Sequence, residues 1–179
     1  AVALLAGIPS VVYGFFGLVI IVPFVRLLGP GTGLSVLAAS LILGIMILPT
    51  VITVAQSALD AVPSRYYEGA LALGVDHEHA VFKVVAPAAA SGIMAAIVLG
   101  LGRAIGETMA VVMVAGNMPI IPDSLLSGVC TMTANIVLEM GYAADLHREA
   151  LIATGVVLFV FILLITMLLN VIRKRGEAR

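Results

Sequence analysis

Long apolar stretches constrain this chain more than any other feature of its sequence. Hydrophobic residues make up 62% of its 179 residues and charged residues 11%, whereas soluble domains have about a quarter of their residues charged. A helix needs about 20 apolar residues to cross a hydrocarbon core of about 30 Å, and several stretches reach that length. They lack the alternation that is typical of barrel strands. We therefore predict an all-α integral membrane protein.

Prolines, glycines and charged residues divide these stretches. We predict one transmembrane domain over residues 1–179, with spans at about residues 9–28, 34–59, 87–115 and 150–172. A polar loop, residues 60–86, follows the second span, and an outer loop, residues 116–149, follows the third. The outer loop is too long for a structureless connection. We expect its apolar part, Ser124–Leu138, to form a helix that lies on or dips into the membrane face.

Basic residues indicate the orientation of the spans, because short loops rich in Lys and Arg stay in the cytoplasm. Arg65 and Lys83 lie in the 60–86 loop, and the C-terminal tail reads RKRGEAR. We expect that loop and the C-terminus to be cytoplasmic, and the 116–149 loop to lie outside. The chain is apolar from Ala1 onward, without the basic region and cleavage site of a signal peptide. We therefore expect a fragment that lacks its N-terminal part.

Several kinds of chemistry receive no support from the sequence. The single cysteine, Cys130, permits neither an internal disulfide nor a cysteine metal cluster. His77 and His79 are more typical of solvated loop residues, and the third histidine, His147, is far away in the sequence, so we expect no metal and no cofactor. A formal net charge of −1 gives no indication of nucleic-acid binding, and we expect none. The sequence has no G-x-x-x-x-G-K-[ST] phosphate loop, so ATP hydrolysis would have to come from a partner.

The most specific stretch is the cytoplasmic loop AVPSRYYEGALALGVDHEHAVFKVVAP, residues 61–87. Pro63 and Ser64 favour a helix start, and Gly74 suits the left-handed residue that ends a helix. Asp76 can then cap a second helix. We predict two short helices at an angle to each other.

Small residues on the first of these helices leave a smooth patch on which another protein could close, with Arg65 and Glu68 at its edge. The alternative is a helical hairpin that packs only on its own membrane domain. The pattern E-G-A-x3-G-x9-V-V-A-P, residues 68–87, resembles the EAA loop of permease subunits of ABC importers, E-A-A-x3-G-x9-I-x-L-P.

This resemblance implies a docking role for the loop. Glu68, Ala70 and Gly74 match the motif that docks on an ATP-binding subunit, and Arg65 and Gly69 belong to the same patch. The resemblance also implies the type I importer fold. In that fold this chain would supply the last four of six spans.

The stretch GLGRAIGETMA, residues 100–110, places Arg103 and Glu107 inside the third span. A charge at the centre of a membrane helix costs about 2.5–3.5 kcal/mol on insertion scales, so something must offset it. The two positions share one face of a helix, which permits an ion pair that pins helices together. Ionisable residues in membranes also commonly line a water-filled path, and neither interpretation excludes the other.

Small residues surround this pair. One row recurs every four residues, at Ala88, Gly92, Ala96, Gly100 and Ala104, and a second row comprises Gly102, Gly106 and Ala110. Because small residues let helices approach closely, we expect both charged side chains to point into the protein interior. A fixed guanidinium can offer paired donors to a tetrahedral oxyanion there, and Glu107 can neutralise Arg103 when the path is empty. We add Thr108 to the residues predicted to line the path.

Two segments, GRAIGETMAVVMVAGN at residues 102–117 and AGIPSVVYGFFGL at residues 6–18, resemble phosphate-specific ABC permease subunits of the PstC type. The sister PstA type shares much of the pattern, and molybdate or sulfate permeases are the nearest substrate alternatives. The resemblance implies that the permease transports phosphate. It also implies that the permease is embedded in the lipid of a prokaryotic inner membrane. The implied protein partners are a second permease subunit, a dimer of ATP-binding subunits and an extracytoplasmic phosphate-binding protein.

Two other functional classes fit the sequence less well. An intramembrane enzyme needs a nucleophile with its base, or paired acidic metal ligands, at membrane depth. The third span offers one Arg, one Glu and one Thr, namely Arg103, Glu107 and Thr108, and no His that could act as a base. A structural membrane scaffold is compatible with the helices, but it does not explain the specific loop at residues 61–87.

Overall fold

Helices make up the regular structure in the part of the chain that the structure describes, residues 7–177. Side chains are described as far as residue 171. This computed structural model confirms the predicted all-α fold class. Gly116 and Val129 form an isolated parallel β-bridge.

The helices differ greatly in length. In chain order they are α1 (Ser10–Arg26), α2 (Val36–Asp60), α3 (Ser64–Ala72), α4 (His77–Ala88), α5 (Ala90–Ile105), α6 (Met109–Val114), α7 (Met132–Glu139) and α8 (Asp145–Glu177). Two of them contain a wider π-helical turn, α1 at Gly17–Ile21 and α4 at Val81–Val85.

Two helices within residues 7–177, α2 and α8, are long and apolar enough to cross a membrane. Helices α4 and α5 meet that criterion only as a pair, and they are bent by 70° where they meet at Ala89. Helix α1 is apolar but ends after 17 residues. The described residues thus hold two helices that are long and apolar enough to span a membrane, or three if the bent pair counts as one, and the division into four spans stays a prediction.

The tightest core lies where α1, α2 and α6 meet, around the fully buried Ile42 and Val114. Glycines let α1 approach its neighbours closely. A Cβ atom on Gly14 would lie 2.9 Å from the Cα atom of Ala110, and one on Gly17 would lie 2.6 Å from the side chain of Ile42. Only glycine fits such separations without a shift of the neighbouring helix.

The contact between α2 and α5 holds the other half of the bundle together. Ala96 is fully buried, Gly92 faces Ala58, and a Cβ atom on Gly100 would lie 2.5 Å from the side chain of Val51. This part of the first small-residue row is therefore confirmed as a helix-packing face. Helix α8 packs against α5 and α7.

The segment at residues 116–149, predicted to be the outer loop, folds over the beginning of α2. The backbone N–H of Val36 donates a hydrogen bond to the carbonyl oxygen of Ser127 at 3.0 Å, and that of Leu37 donates to Leu125 at 2.8 Å. The first N–H groups of a helix have no partner within it, so the loop supplies their acceptors.

This use of the loop explains why the helix predicted over Ser124–Leu138 is wrong in its first half. Only α7 is helical, and the residues before it are irregular. The carbonyl oxygens of Leu125 and Ser127, which a continuous helix would use for its own hydrogen bonds, accept N–H groups of α2 instead. In addition, the Ser124 hydroxyl accepts the N–H of Leu126 at 3.2 Å. Such local side-chain bonds compete with a helix.

Candidate functional site

A break in the third predicted span separates its two charged residues. Helix α5 ends at Ile105, α6 begins at Met109, and Gly106 forms a turn between them. Arg103 therefore lies in the last turn of α5, whereas Glu107 lies in the break. The prediction that they share one helical face is wrong.

Local hydrogen bonds explain the break. The Glu107 carboxylate accepts the backbone N–H of Ala110, at 3.1 Å from Oε1, and so satisfies a donor in the first turn of α6. The Thr108 hydroxyl donates to the carbonyl oxygen of Gly106 at 3.3 Å. Glycine is also a poor helix former, which favours interruption at Gly106.

Arg103 has a different partner from the one predicted. Its Nη1 donates a hydrogen bond to the Thr50 hydroxyl on α2, over 3.0 Å. Among the described residues no ion pair joins Arg103 to Glu107, and no second hydrogen bond of the guanidinium occurs. A guanidinium has five N–H donors, so most of them have no acceptor within this part of the chain.

The guanidinium lies at a cleft of about 460 Å³ between α2, α5 and α8. Its lining residues are Thr50, Val98, Leu99, Gly102, Arg103 and Thr166. Arg103 is half-buried, and the side chains of Val98 and Leu99 give the cleft an apolar wall. A half-buried charge beside apolar side chains is less well solvated than a charge in bulk water, and it favours an anionic or polar partner.

The second predicted row of small residues does not form one packed face. A Cβ atom on Gly102 would meet no heavy atom within 4 Å, and one on Gly106 would have ordinary contacts only. Both residues are exposed, whereas Ala110 is fully buried in the core. The cleft is therefore open beside Arg103, and the prediction that the side chain lies between two packed rows is wrong.

The outer helix α7 is tied to the break. The Thr133 hydroxyl donates to the carbonyl oxygen of Glu107 at 3.2 Å, and the hydroxyls of Thr133 and Thr131 are 3.1 Å apart. Thr131 also caps α7 by accepting the N–H of Ala134 at 3.2 Å. The segment between Arg103 and α6 is thus held from the outer loop as well as by its own capping bond.

The loop at residues 60–86 has the predicted helix–glycine–helix structure. Helix α3 begins at Ser64 after Pro63, and Gly74 has a φ of +82°, in the left-handed region. Asp76 caps α4 by accepting the N–H of His79 at 2.9 Å. This N–H donor and the His79 side chain hold the pKa of the Asp76 carboxyl below its usual range.

The predicted docking residues differ in solvent exposure. Arg65, Glu68, Gly69 and Gly74 are exposed, but Ala70 is only 7% exposed and packs inside the loop. Arg65 lies over the ring of Tyr66, at 5.6 Å from the guanidinium carbon to the ring centre.

Two apolar side chains of the loop are also strongly exposed and were not singled out from the sequence. Leu73 is 86% exposed and Phe82 is 72% exposed. A groove of about 400 Å³ opens at the base of the loop, where α2, α3 and the bend at Ala89 meet.

The described residues offer no site for a metal of the usual kind, since no group of three or more His, Cys, Asp or Glu side chains converges there. The Nδ1 atom of His77 bonds the Tyr67 hydroxyl at 2.8 Å, and His79 pairs with Asp76. His147 lies 3.6 Å from Glu139 in the outer loop. These histidines have partners that are not metals.

Comparison with known families decides what kind of protein contains this cleft and loop. Residues 2–177 match the model of the family described as "Binding-protein-dependent transport system inner membrane component". This chain belongs to that family. The membership confirms the resemblance to permease subunits of ABC importers and the predicted type I transmembrane fold.

Individual relatives of this family member carry similar names. A probable ABC transporter permease protein, YqgH, of Bacillus subtilis is 40% identical, over 98% of this chain and 58% of its own length. The phosphate transport system permease protein PstC of Mesorhizobium japonicum is 37% identical, over 100% of this chain and 61% of its own length. The phosphate transport system permease protein PstC 1 of Mycobacterium tuberculosis is 36% identical, over 98% of this chain and 58% of its own length.

The chain thus spans about three-fifths of the length of the curated relatives that it matches. No solved structure shows a significant match to it.

Sequence reasoning found Arg103 but missed Thr50 and Thr166, which share its cleft. Both are hydroxyl residues inside long apolar helices, and that property is visible in the sequence. Their proximity to Arg103 is not visible there, because it depends on how three helices pack. The hydrogen bond from Thr133 to the carbonyl oxygen of Glu107, at the helix break, likewise joins residues that are 26 positions apart.

Proposed function

We propose that this family member forms the membrane path for inorganic phosphate in an ATP-driven importer of a prokaryotic inner membrane. The names of the PstC relatives support phosphate as the substrate. The site that supports an anion path is the cleft beside Arg103. In this proposal Glu107 and Thr108 shape the path at the helix break, next to the guanidinium.

The single observation that carries the proposal is the unsatisfied guanidinium of Arg103. Its one hydrogen bond among the described residues goes to a neutral hydroxyl, and no carboxylate there neutralises it. A charge at membrane depth costs about 2.5–3.5 kcal/mol on insertion scales, so an interaction that offsets this cost is expected. A transient anion would supply both the missing charge and the missing acceptors.

The chemistry of the group favours an oxyanion. Guanidinium presents paired donors in a rigid plane that match the oxygens of phosphate, and it stays charged at any physiological pH. The cleft of about 460 Å³ is open beside Gly102 and has room for a small anion. Molybdate and sulfate have the same tetrahedral shape, and a permease for either is the alternative function.

The cytoplasmic loop supports coupling to a separate ATPase. We assign Arg65, Glu68, Gly69 and Gly74 to the surface that docks on a dimer of ATP-binding subunits, with Ala70 as internal support. The exposed side chains of Leu73 and Phe82 add apolar area of the kind that a protein partner covers. The same proposal includes a second permease subunit beside this one and an extracytoplasmic phosphate-binding protein.

The anion path is tested by phosphate uptake into vesicles that contain the complete transporter. We expect Arg103→Gln to reduce uptake to the background level and Arg103→Lys to retain part of it, since Lys keeps the charge without the planar donors. Arg26→Gln is the matched control, because Arg26 is exposed at the end of α1.

Complex yield and the thermal midpoint are measured in parallel to detect misfolding. Normal uptake by an assembled Arg103→Gln transporter would contradict the proposed path. Uptake of sulfate or molybdate in place of phosphate by the unchanged transporter would contradict the substrate.

A further inference from the structure

We propose that the Thr50 hydroxyl contacts the transported oxyanion, accepting a hydrogen bond from Arg103 and donating its own hydrogen to an anion oxygen in the cleft. This inference rests on the proposed function of Arg103 and adds a second binding residue from a different helix. It assigns a role to α2, which otherwise serves as a packing partner of α5.

The first step is that Thr50 differs in its hydrogen bonding from the other threonines of α2 and α8. Hydroxyl residues in apolar helices normally donate to the carbonyl oxygen four residues earlier, which removes the free donor from the apolar surroundings. Four such residues do so here: Thr53 to Pro49 at 2.8 Å, Ser57 to Thr53 at 3.0 Å, Thr154 to Ala150 at 2.9 Å and Thr166 to Ile162 at 2.8 Å. Within residues 7–177, Thr50 makes no bond of this kind. Ser40 in α2 and Ser91 in α5 make none either, but neither of them bonds to Arg103 or lines the cleft.

The second step concerns the direction of the Thr50 hydrogen. A hydroxyl has one donor and two acceptor positions, and Arg103 Nη1 occupies one acceptor position over 3.0 Å. The hydroxyl hydrogen must therefore point away from that N–H group. Thr50 has no hydrogen-bond acceptor among the described residues, so its donor is left free at the cleft.

The third step is the surroundings of this donor. Val98 and Leu99 present apolar side chains to the cleft, and the Thr166 hydrogen is already bonded within α8. Polar groups beside apolar side chains normally have hydrogen-bond partners. The free N–H groups of Arg103 and the free hydroxyl hydrogen of Thr50 are therefore expected to share one acceptor. An oxyanion accepts several hydrogen bonds at once and fits the free donors of both Arg103 and Thr50.

The bond from Arg103 to Thr50 also orients the guanidinium. Long arginine side chains lose conformational entropy when they are fixed, so an anchor made before the anion arrives lowers the cost of binding. Because the anchor uses only one of the five donors, the others stay available. Thr50 thus has two roles in one site, one toward Arg103 and one toward the anion.

The test compares Thr50→Val, which keeps the shape but lacks the hydroxyl, with Thr50→Ser, which keeps the hydroxyl. Phosphate uptake by the complete transporter in vesicles is measured over a range of phosphate concentrations. We expect Thr50→Val to raise the phosphate KM about tenfold or more, as for the loss of one hydrogen bond to a charged group, and Thr50→Ser to stay within about twofold. Thr53→Val is the matched control, since that hydroxyl bonds only within its own helix.

The assay also separates this inference from the proposed function. Loss of uptake in Arg103→Gln together with an unchanged KM in Thr50→Val would overturn the inference alone. Normal uptake in Arg103→Gln would overturn the proposed function and the inference with it. Failure of Thr50→Val to assemble, or equal impairment of Thr50→Ser and Thr50→Val, would also overturn the inference, because Thr50 would then serve the fold.

Discussion

The carboxylate of Glu107 accepts the backbone N–H of Ala110 at 3.1 Å, and this bond satisfies a donor in the first turn of helix α6, on the far side of a helix break. Glu107 is therefore engaged in capping, while Arg103 bonds to Thr50 on another helix. The two charged residues have separate tasks although they are four positions apart. The positive charge of Arg103 is left available at the cleft.

The first prediction concerns the capping role of Glu107. We expect Glu107→Gln to keep the thermal midpoint of the transporter near that of the unchanged protein, since the amide oxygen can still accept the Ala110 N–H. Glu107→Ala should lower stability by about 1 kcal/mol, as the loss of a helix cap does. Differential scanning fluorimetry of the purified complex checks both. Equal stability of the Ala and Gln variants would show that the cap does not matter.

The second prediction uses the open space beside Gly102. A Cβ atom there would meet no heavy atom within 4 Å, so we expect Gly102→Val to assemble normally but to lose most phosphate uptake by filling part of the cleft. Gly44→Val is the control, because Gly44 also has open space but does not line the cleft. Full uptake by Gly102→Val would mean that phosphate does not pass through the cleft.

The third prediction contrasts Gly102 with its neighbour Gly100. A Cβ atom on Gly100 would lie 2.5 Å from the side chain of Val51, in the contact between α5 and α2. We expect Gly100→Val to destabilise the protein by about 1–3 kcal/mol through overpacking. The yield of folded complex and its thermal midpoint measure this effect. A midpoint as high as that of Gly102→Val would show that the helices separate easily.

The fourth prediction concerns docking of the cytoplasmic loop. Gly69 is exposed and a Cβ atom there would meet nothing within 4 Å, so Gly69→Trp should leave the permease folded. We expect it to block binding of the ATP-binding subunits, measured by their co-purification. Gly141→Trp is the control, because it is equally open but lies in the outer loop. Gly74 suits this test less well, since its φ of +82° strains any side chain.

The fifth prediction concerns orientation in the membrane. Cys130 is replaced by alanine, and single cysteines are placed at Gly69 and Gly141. We expect a membrane-impermeant thiol reagent to label Gly141→Cys in intact cells, and to label Gly69→Cys only after the membrane is permeabilised. The reverse pattern would invert the proposed topology and place the loop of residues 60–86 outside.

Local sequence was sufficient for the cytoplasmic loop. Gly74 adopts the left-handed conformation that a glycine permits, and Asp76 caps the following helix, as predicted. These outcomes depend on interactions within a few residues, which are the same in the sequence and in the folded chain. The predicted packing of Gly92, Ala96 and Gly100 was confirmed for a similar reason, since small residues spaced by four lie on one helical face.

The helix break was not predictable by the same reasoning. The sequence around Arg103 and Glu107 is compatible with a continuous helix, although Gly100, Gly102 and Gly106 weaken it. The structure ends α5 because the Glu107 side chain caps α6 and Thr133 binds the Glu107 carbonyl oxygen. The second of these bonds comes from the outer loop.

Composition, apolar length and short-range patterns by themselves determined that this is a helical membrane protein with a helix–glycine–helix loop. Tertiary structure alone decided that Arg103 meets Thr50 and lies open to a cleft, whereas Glu107 caps a separate helix. The physical reason is the range of the interactions. Hydrophobic length and caps act within one segment, but the partner of a buried charge is chosen by whichever helices pack beside it.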